Sequence, residues 1–196
     1  MGIDQRRIER GRATFLPVLA TCRDERQIVL MTDYSAEGCG LKGEIRAQRG
    51  APITLRLGDE HEWDGTVSWN VGERFGVQHQ GNRPFQLPTG DRYRSVRSPM
   101  CIPCIVYTRG QQIDAVVENI SLHGLGLRSS ILPTVGALIS ILIGRTAFEA
   151  ATVRWVSEGS FGVRLTPGTD SLVQEVLRSA SNSYSNPAPA ILGVAA

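Results

Sequence analysis

Asp33-Tyr-Ser-Ala-Glu-Gly38, Thr66-Val-Ser-Trp69 and Phe75-Gly-Val77 recur 86 residues later as Asn119-Ile-Ser-Leu-His-Gly124, Thr152-Val-Arg-Trp155 and Phe161-Gly-Val163. Between these anchors Gly40-Leu41 falls on Gly126-Leu127 and Gly50-Ala51 on Gly136-Ala137, without a gap. Fifteen of the 47 positions from 33 to 79 are identical to their partners at 119 to 165, far above chance. Self-similarity at one long fixed offset marks a duplicated domain rather than a solenoid of short repeats. The chain of 196 residues is therefore two copies of one domain of about 86 residues.

Within each copy apolar residues alternate over short runs, Val67 and Trp69, then Phe75 and Val77, and likewise Val153 and Trp155, then Phe161 and Val163. A period of two marks strands with one buried face. On this phase Trp69, Phe75, Trp155 and Phe161 all face the core. Six strands are expected per copy, near residues 13–22, 26–33, 39–43, 52–57, 62–70 and 74–79, and at the same numbers plus 86. Short antiparallel strands with such frequent turns suit a closed barrel, which leaves no sheet edge exposed. The expected fold is all-β: two tandem six-stranded antiparallel barrels and a short C-terminal helix. That helix is expected near Asp170 to Ser181, capped by Asp170 or Thr169, with Leu172, Val173, Val176, Leu177 and Ala180 on one face. The domains are expected at residues 1–82 and 91–181, joined by a linker at 83–90 that holds Pro84 and Pro88. Residues 182–196 are Ser, Asn, Pro and Ala-rich without charge, and are expected to be a disordered tail.

An apolar fraction of 41% is enough to build a core. The net charge is only +2, although 20 of the 21 basic residues are Arg and one is Lys42. A sequence-independent nucleic-acid binder needs a large basic excess, so no DNA or RNA partner is expected. The longest apolar stretch, Ile131 to Gly144, has 14 residues interrupted by Pro133 and Gly136. A spanning helix needs about 20, so no transmembrane segment is expected. Arg6, Arg7, Arg10 and Arg12 ahead of Ala13 to Cys22 mimic a signal peptide. Glu9 in the basic region and Pro17 in the apolar run count against it, and Pro17 falls on Pro103 of the second copy. The segment reads as domain sequence, the expected location is cytoplasmic, and the four cysteines read as reduced thiols.

Gly38-Cys-Gly40-Leu-Lys-Gly43 matches GxGxxG, but Gly50-Ala-Pro52 interrupts the helix that a dinucleotide fold requires. Cys101-Ile-Pro-Cys104 matches CxxC, but residues three apart on a strand face opposite sides and no second Cys/His pair is suitably spaced. His61, His79 and His123 are scattered, and Ser35 lacks a nucleophile elbow. No catalytic constellation emerges; the expectation is a non-enzymatic protein without metal or cofactor.

The chemistry concentrates elsewhere. Arg6-Arg-Ile-Glu-Arg10 places two arginines four apart before the first strand, and Asp33-x-Ser35-x-x-Gly38 follows at the turn after the second. This pairing resembles the PilZ family, bacterial receptors for cyclic di-GMP, whose pattern is RxxxR in an N-terminal loop and [D/N]xSxxG on the barrel. Trp69 and Phe75-Gly-Val77 also resemble the closing strands of a PilZ domain, and the resemblance extends over residues 5 to 80 and 91 to 178. It implies that Arg6, Arg10, Asp33, Ser35 and Gly38 bind cyclic di-GMP, with Arg7 auxiliary. The chemistry is apt: Arg makes bidentate bonds to phosphate or to guanine O6 and N7 and stacks on the base. Asp33 can accept from guanine N1 and N2, and Gly38 spares a Cβ. At offset 86 Arg6 falls on Arg92 but Arg10 falls on Val96, while Arg94 and Arg97 stand nearby and Asn119-x-Ser121-x-x-Gly124 is intact. The second copy is thus expected to be a degenerate, weaker site built from Arg92, Arg97, Asn119, Ser121 and Gly124. The resemblance implies an effector that relays the signal to an unidentified downstream protein controlling motility, biofilm or polysaccharide. The alternative is a ligand-blind adaptor, since Asp-x-Ser also makes an ordinary Asx turn.

Overall fold

The computed structural model describes residues 11–58, 61–81 and 95–184, with the backbone alone at 11–14 and 182–184. In the first half β1 (Gly11–Cys22), β2 (Glu25–Ser35), β3 (Gly38–Lys42), β4 (Pro52–Leu57), β5 (His61–Val71) and β6 (Arg74–His79) pair antiparallel. They close into a barrel in the order β1-β2-β3-β6-β5-β4. The second half repeats the design with β7 (Ser98–Thr108), β8 (Gln111–Ser121), β9 (Gly124–Arg128), β10 (Leu138–Ile143), β11 (Thr146–Ser157) and β12 (Ser160–Arg164), closed as β10-β11-β12-β9-β8-β7. A helix, α1 (Asp170–Tyr184), follows and runs three residues beyond the end expected from its apolar face. Ala13 to Cys22 lies within β1, and the expected linker at 83–90 lies outside the described residues.

Each barrel is filled by its inward-facing alternate residues. Met31, Leu41, Leu55, Leu57 and Phe75 are fully buried in the first, and Ile120, Leu127, Ile139, Ile141, Phe148 and Phe161 in the second. Each such side chain contributes about 1.5–3 kcal/mol by leaving water.

The simple alternation fails at matching places. Val67 pairs with Val77 but Trp69 pairs with Gly76, so β5 carries one residue more than β6 over this step. Val153 pairs with Val163 and Trp155 with Gly162 in the same way. A bulge of one residue turns every side chain beyond it to the other face. Trp69 and Trp155 are therefore 38% and 42% exposed, against the expectation that they face the core, while Phe75 and Phe161 are buried as expected. A second bulge lies between Met31 and Asp33 in β2, and again between Val117 and Asn119 in β8.

The two barrels share an apolar joint. Val173, Val176 and Leu177 of α1 are buried on the second barrel, and Leu19 and Ile28 of the first barrel join the same cluster. Gln174 fixes the contact through the Ile28 peptide: its Oε1 accepts from the Ile28 N–H at 3.2 Å and its Nε2 donates to the Ile28 carbonyl at 2.6 Å. A carboxamide has one donor end and one acceptor end, so it can replace a neighbouring strand at one residue. Arg56 on β4 also donates to the Arg97 carbonyl, just ahead of β7.

Candidate ligand-binding site

The β2 bulge turns Asp33 outward. There Asp33 pairs with Gly40 on β3, Gly40 with Gly76 on β6, and Gly76 with Trp69 on β5. Four strands thus carry one lateral row, Asp33–Gly40–Gly76–Trp69, on the outer wall. At about 4.8 Å per strand the row spans roughly 14 Å, the scale of a dinucleotide. The two glycines are needed because the end residues lean over them. A Cβ on Gly40 would overlap the Asp33 carboxylate, and a Cβ on Gly76 would overlap the Trp69 indole. The result is a floor of bare backbone between a carboxylate and an aromatic ring. The Thr32 hydroxyl lies 3.1 Å from Asp33 Oδ2 and 3.2 Å from the Gly40 carbonyl, which ties the carboxylate to this floor.

Ser35 and Gly38 pair with each other at the β2–β3 turn beside Asp33. Ser35 is buried, and its hydroxyl donates to the Gly38 carbonyl at 3.4 Å across the β2–β3 turn. Gly38 sits against the Val77 carbonyl on β6, where any Cβ would collide. Both residues hold the hairpin that presents Asp33. Ser121 and Gly124 repeat the arrangement, with the Ser121 hydroxyl 3.2 Å from the Gly124 carbonyl and a Cβ on Gly124 2.5 Å from the Val163 carbonyl oxygen.

On the other side of Asp33 stands β1. Its register sets Arg12 opposite Asp33 and Gly11 opposite Tyr34. Arg10 directly precedes Gly11 in sequence, so the chain enters the barrel at the Asp33 end of the row. Arg6, Arg7 and Arg10 themselves lie outside the described residues, as does Arg92. Beyond Arg12, β1 breaks step with β2 until Leu16 pairs with Met31. Phe15 is pushed out there, 61% exposed with φ of 47°.

The second barrel carries the same row, Asn119–Gly126–Gly162–Trp155. Its entry strand differs by one residue. Ser98 pairs with Ile120 and Pro99 with Asn119, and step is regained where Ile102 pairs with Val117. Gly11 thus corresponds to Ser98, an offset of 87 rather than 86, because β1 has the one extra residue that expels Phe15. The equivalent of Arg10 is consequently Arg97, not Val96. Val96 is fully buried and Arg97 is exposed. By the same count Arg6 corresponds to Tyr93, Arg7 to Arg94 and Arg12 to Pro99, so of the Arg6 and Arg10 pair the second barrel keeps only the counterpart of Arg10, and Pro99 replaces the arginine across from its Asn.

Gly40, Gly76 and Trp69 were not singled out as site residues by sequence. Their signal was present, since Gly40, Trp69 and Gly76 are identical to Gly126, Trp155 and Gly162 in the second copy. Among the described residues no group of three His, Cys, Asp or Glu could hold a metal ion, and no helix is long and apolar enough to cross a membrane. Cys101 is exposed while Cys22, Cys39 and Cys104 are buried, as residues three apart on β7 require. Burial pushes the Cys104 thiol up to about 11.

Residues 91–181, which span the second barrel and most of α1, match the PilZ domain family model. No curated protein matches the chain. Among solved structures it is similar to the Klebsiella (K. pneumonia) MrkH–c-di-GMP complex, at 12% identity and a TM-score of 0.39, covering 87% of this chain and 89% of that one. It is also similar to Escherichia coli YcgR in complex with c-di-GMP (15%, TM-score 0.37, 87% and 86%). A third is the Bacillus subtilis inhibitor of motility MotI/DgrA (12%, TM-score 0.37, 86% and 97%).

Proposed function

We propose that the chain is a cyclic di-GMP effector whose first barrel holds the ligand on the Asp33–Gly40–Gly76–Trp69 row. The observation that carries this reading is the meeting of Asp33, the glycine floor and the β1 entry point, one residue from Arg10, at a single place. Asp33 accepts from N1–H and N2–H of a guanine lying on the floor, an edge that offers donors to a carboxylate. Arg6 and Arg10, with Arg7 auxiliary, close over the phosphates and stack on the bases. Trp69 bounds the far end with an aromatic face, which binds a base by stacking. Ser35 and Gly38 act through the hairpin. No step is chemical: ordering the arginine arm on the barrel is the output, read by a downstream protein.

The second barrel is the weaker site. Asn119 offers one acceptor where Asp33 offers a carboxylate, and only Arg97 stands where the pair of arginines stands in the first copy. A hydrogen bond to a charged group is worth about 1.5–3 kcal/mol, so each loss weakens binding roughly ten- to a hundredfold. Calorimetric titration with cyclic di-GMP, against GTP and cyclic AMP as controls, tests the reading. Saturable heat with cyclic di-GMP alone supports it, and no heat with any of the three removes it in favour of a ligand-blind adaptor.

A further inference from the structure

Duplication provides an internal comparison for every surface, and one surface fails it. The outer face of β1 and β4 in the first barrel carries Leu19, Thr21, Thr54 and Arg56, with Leu19 paired to Arg56 and Thr21 to Thr54. The second barrel reaches this face. Leu19 joins the second barrel's apolar cluster, Arg56 donates to the Arg97 carbonyl, and Pro99 stands across a cleft from all four residues. The same positions in the second barrel are Ile105, Tyr107, Ser140 and Leu142, with Leu142 paired to Ile105 and Ser140 to Tyr107.

That second face lies open, with Tyr107 43% exposed and Leu138, next along β10 on the same side, 66% exposed. An uncovered copy of a covered face should be the more polar of the two. The reverse holds: Tyr107 stands where the first barrel has Thr21, Leu142 where it has Arg56, and Leu138 where it has Pro52. Scattered exposed apolar residues need no explanation, but Tyr107 lies diagonally next to Leu138 and Leu142 on the paired strands, beside the opposed Leu142 and Ile105, and such patches mark interaction sites. A groove of about 440 Å³ runs along it, lined by Tyr107, Leu138 and Ala150 and carrying Arg109 and Glu149.

The charges indicate the occupant. A surface with an apolar patch and one residue of each sign complements itself across a twofold axis, the commonest symmetry of protein pairs. We propose that the β7–β10 face of the second barrel docks a second copy of the chain in an isologous dimer. Tyr107 and Leu138 of each protomer cover the other's patch, and Arg109 of one meets Glu149 of the partner subunit.

Sedimentation equilibrium of the full chain from about 1 to about 100 µM, the range in which modest interfaces associate, tests this. The wild type should approach a dimer. Leu138→Asp should weaken association at least about tenfold, the size expected for a central contact. Arg109→Glu alone should weaken it too, and combining Arg109→Glu with Glu149→Arg should bring it back; this exposed pair keeps the test valid if Leu138→Asp disturbs the fold. A wild type monomeric throughout overturns the proposal, whether residues 185–196 or another protein then cover the face. A dimer indifferent to Leu138→Asp and to the charge reversal also overturns it.

Discussion

The indole of Trp69 covers the Cα of Gly76, its partner on the neighbouring strand, and Trp155 covers Gly162 in the same way. In each barrel a one-residue bulge turns the ring outward and a glycine makes room for it. Gly76→Ala should therefore lift the indole from the wall, shift tryptophan emission to the red and destabilise the barrel by about 1–3 kcal/mol, the usual cost of overfilling a packed contact. Urea unfolding of the variant measures both effects.

Trp69 borders the proposed ligand floor, so its emission should respond to the ligand. Cyclic di-GMP should change the tryptophan fluorescence of the wild type, and Trp69→Phe should remove most of that change while Trp155→Phe preserves it. Equal responses in the two variants would put the ligand on both barrels.

The joint between barrels depends on one side chain more than its neighbours. Gln174 makes two hydrogen bonds to the Ile28 peptide in part-buried surroundings. Gln174→Leu leaves an N–H and a carbonyl without partners and should cost about 1–3 kcal/mol. Arg178 pairs with Glu44 at 3.9 Å with both side chains largely in water, so Arg178→Ala should change stability by less than about 0.5 kcal/mol. Thermal unfolding should show a lower or split transition for the first variant and a wild-type curve for the second.

The thiols predict a pH limit. Burial raises Cys104 from 9.0 to about 11 and also raises Cys22, where desolvation outweighs the lowering by Arg23. A thiol whose folded pKa is raised contributes stability that is complete below its unfolded pKa and is lost as pH climbs through the folded value. Stability should hold up to about pH 9 and decline from there toward 11, and a Cys104→Ala variant should decline less. At neutral pH a thiol reagent should label Cys101 and leave Cys104 until the chain unfolds.

The strands were legible because burial alternates within each, and the duplication supplied every one of them twice. Features set by strand pairing were not. A bulge adds one residue without altering composition, so reading the alternation straight through Ser68 put Trp69 in the core when pairing with Gly76 places it outside. The ungapped offset likewise equated Arg10 with Val96, whereas the extra residue near Phe15 makes Arg97 its counterpart. Ser35 and Gly38 stand out in sequence beside Asp33, and the hydroxyl of the one bonds the carbonyl of the other where Gly38 packs against Val77. The glycines that face outward, Gly40 and Gly76, need their strand partners before they can be recognised.

The central claim is that Asp33, and not its counterpart Asn119, holds the ligand. Calorimetric titration of cyclic di-GMP into Asp33→Ala and Asn119→Ala, beside the wild type, tests it most directly. Binding should weaken roughly ten- to a hundredfold in Asp33→Ala and stay within about twofold of wild type in Asn119→Ala. Wild-type affinity in Asp33→Ala with loss in Asn119→Ala would place the ligand on the second barrel and contradict the account.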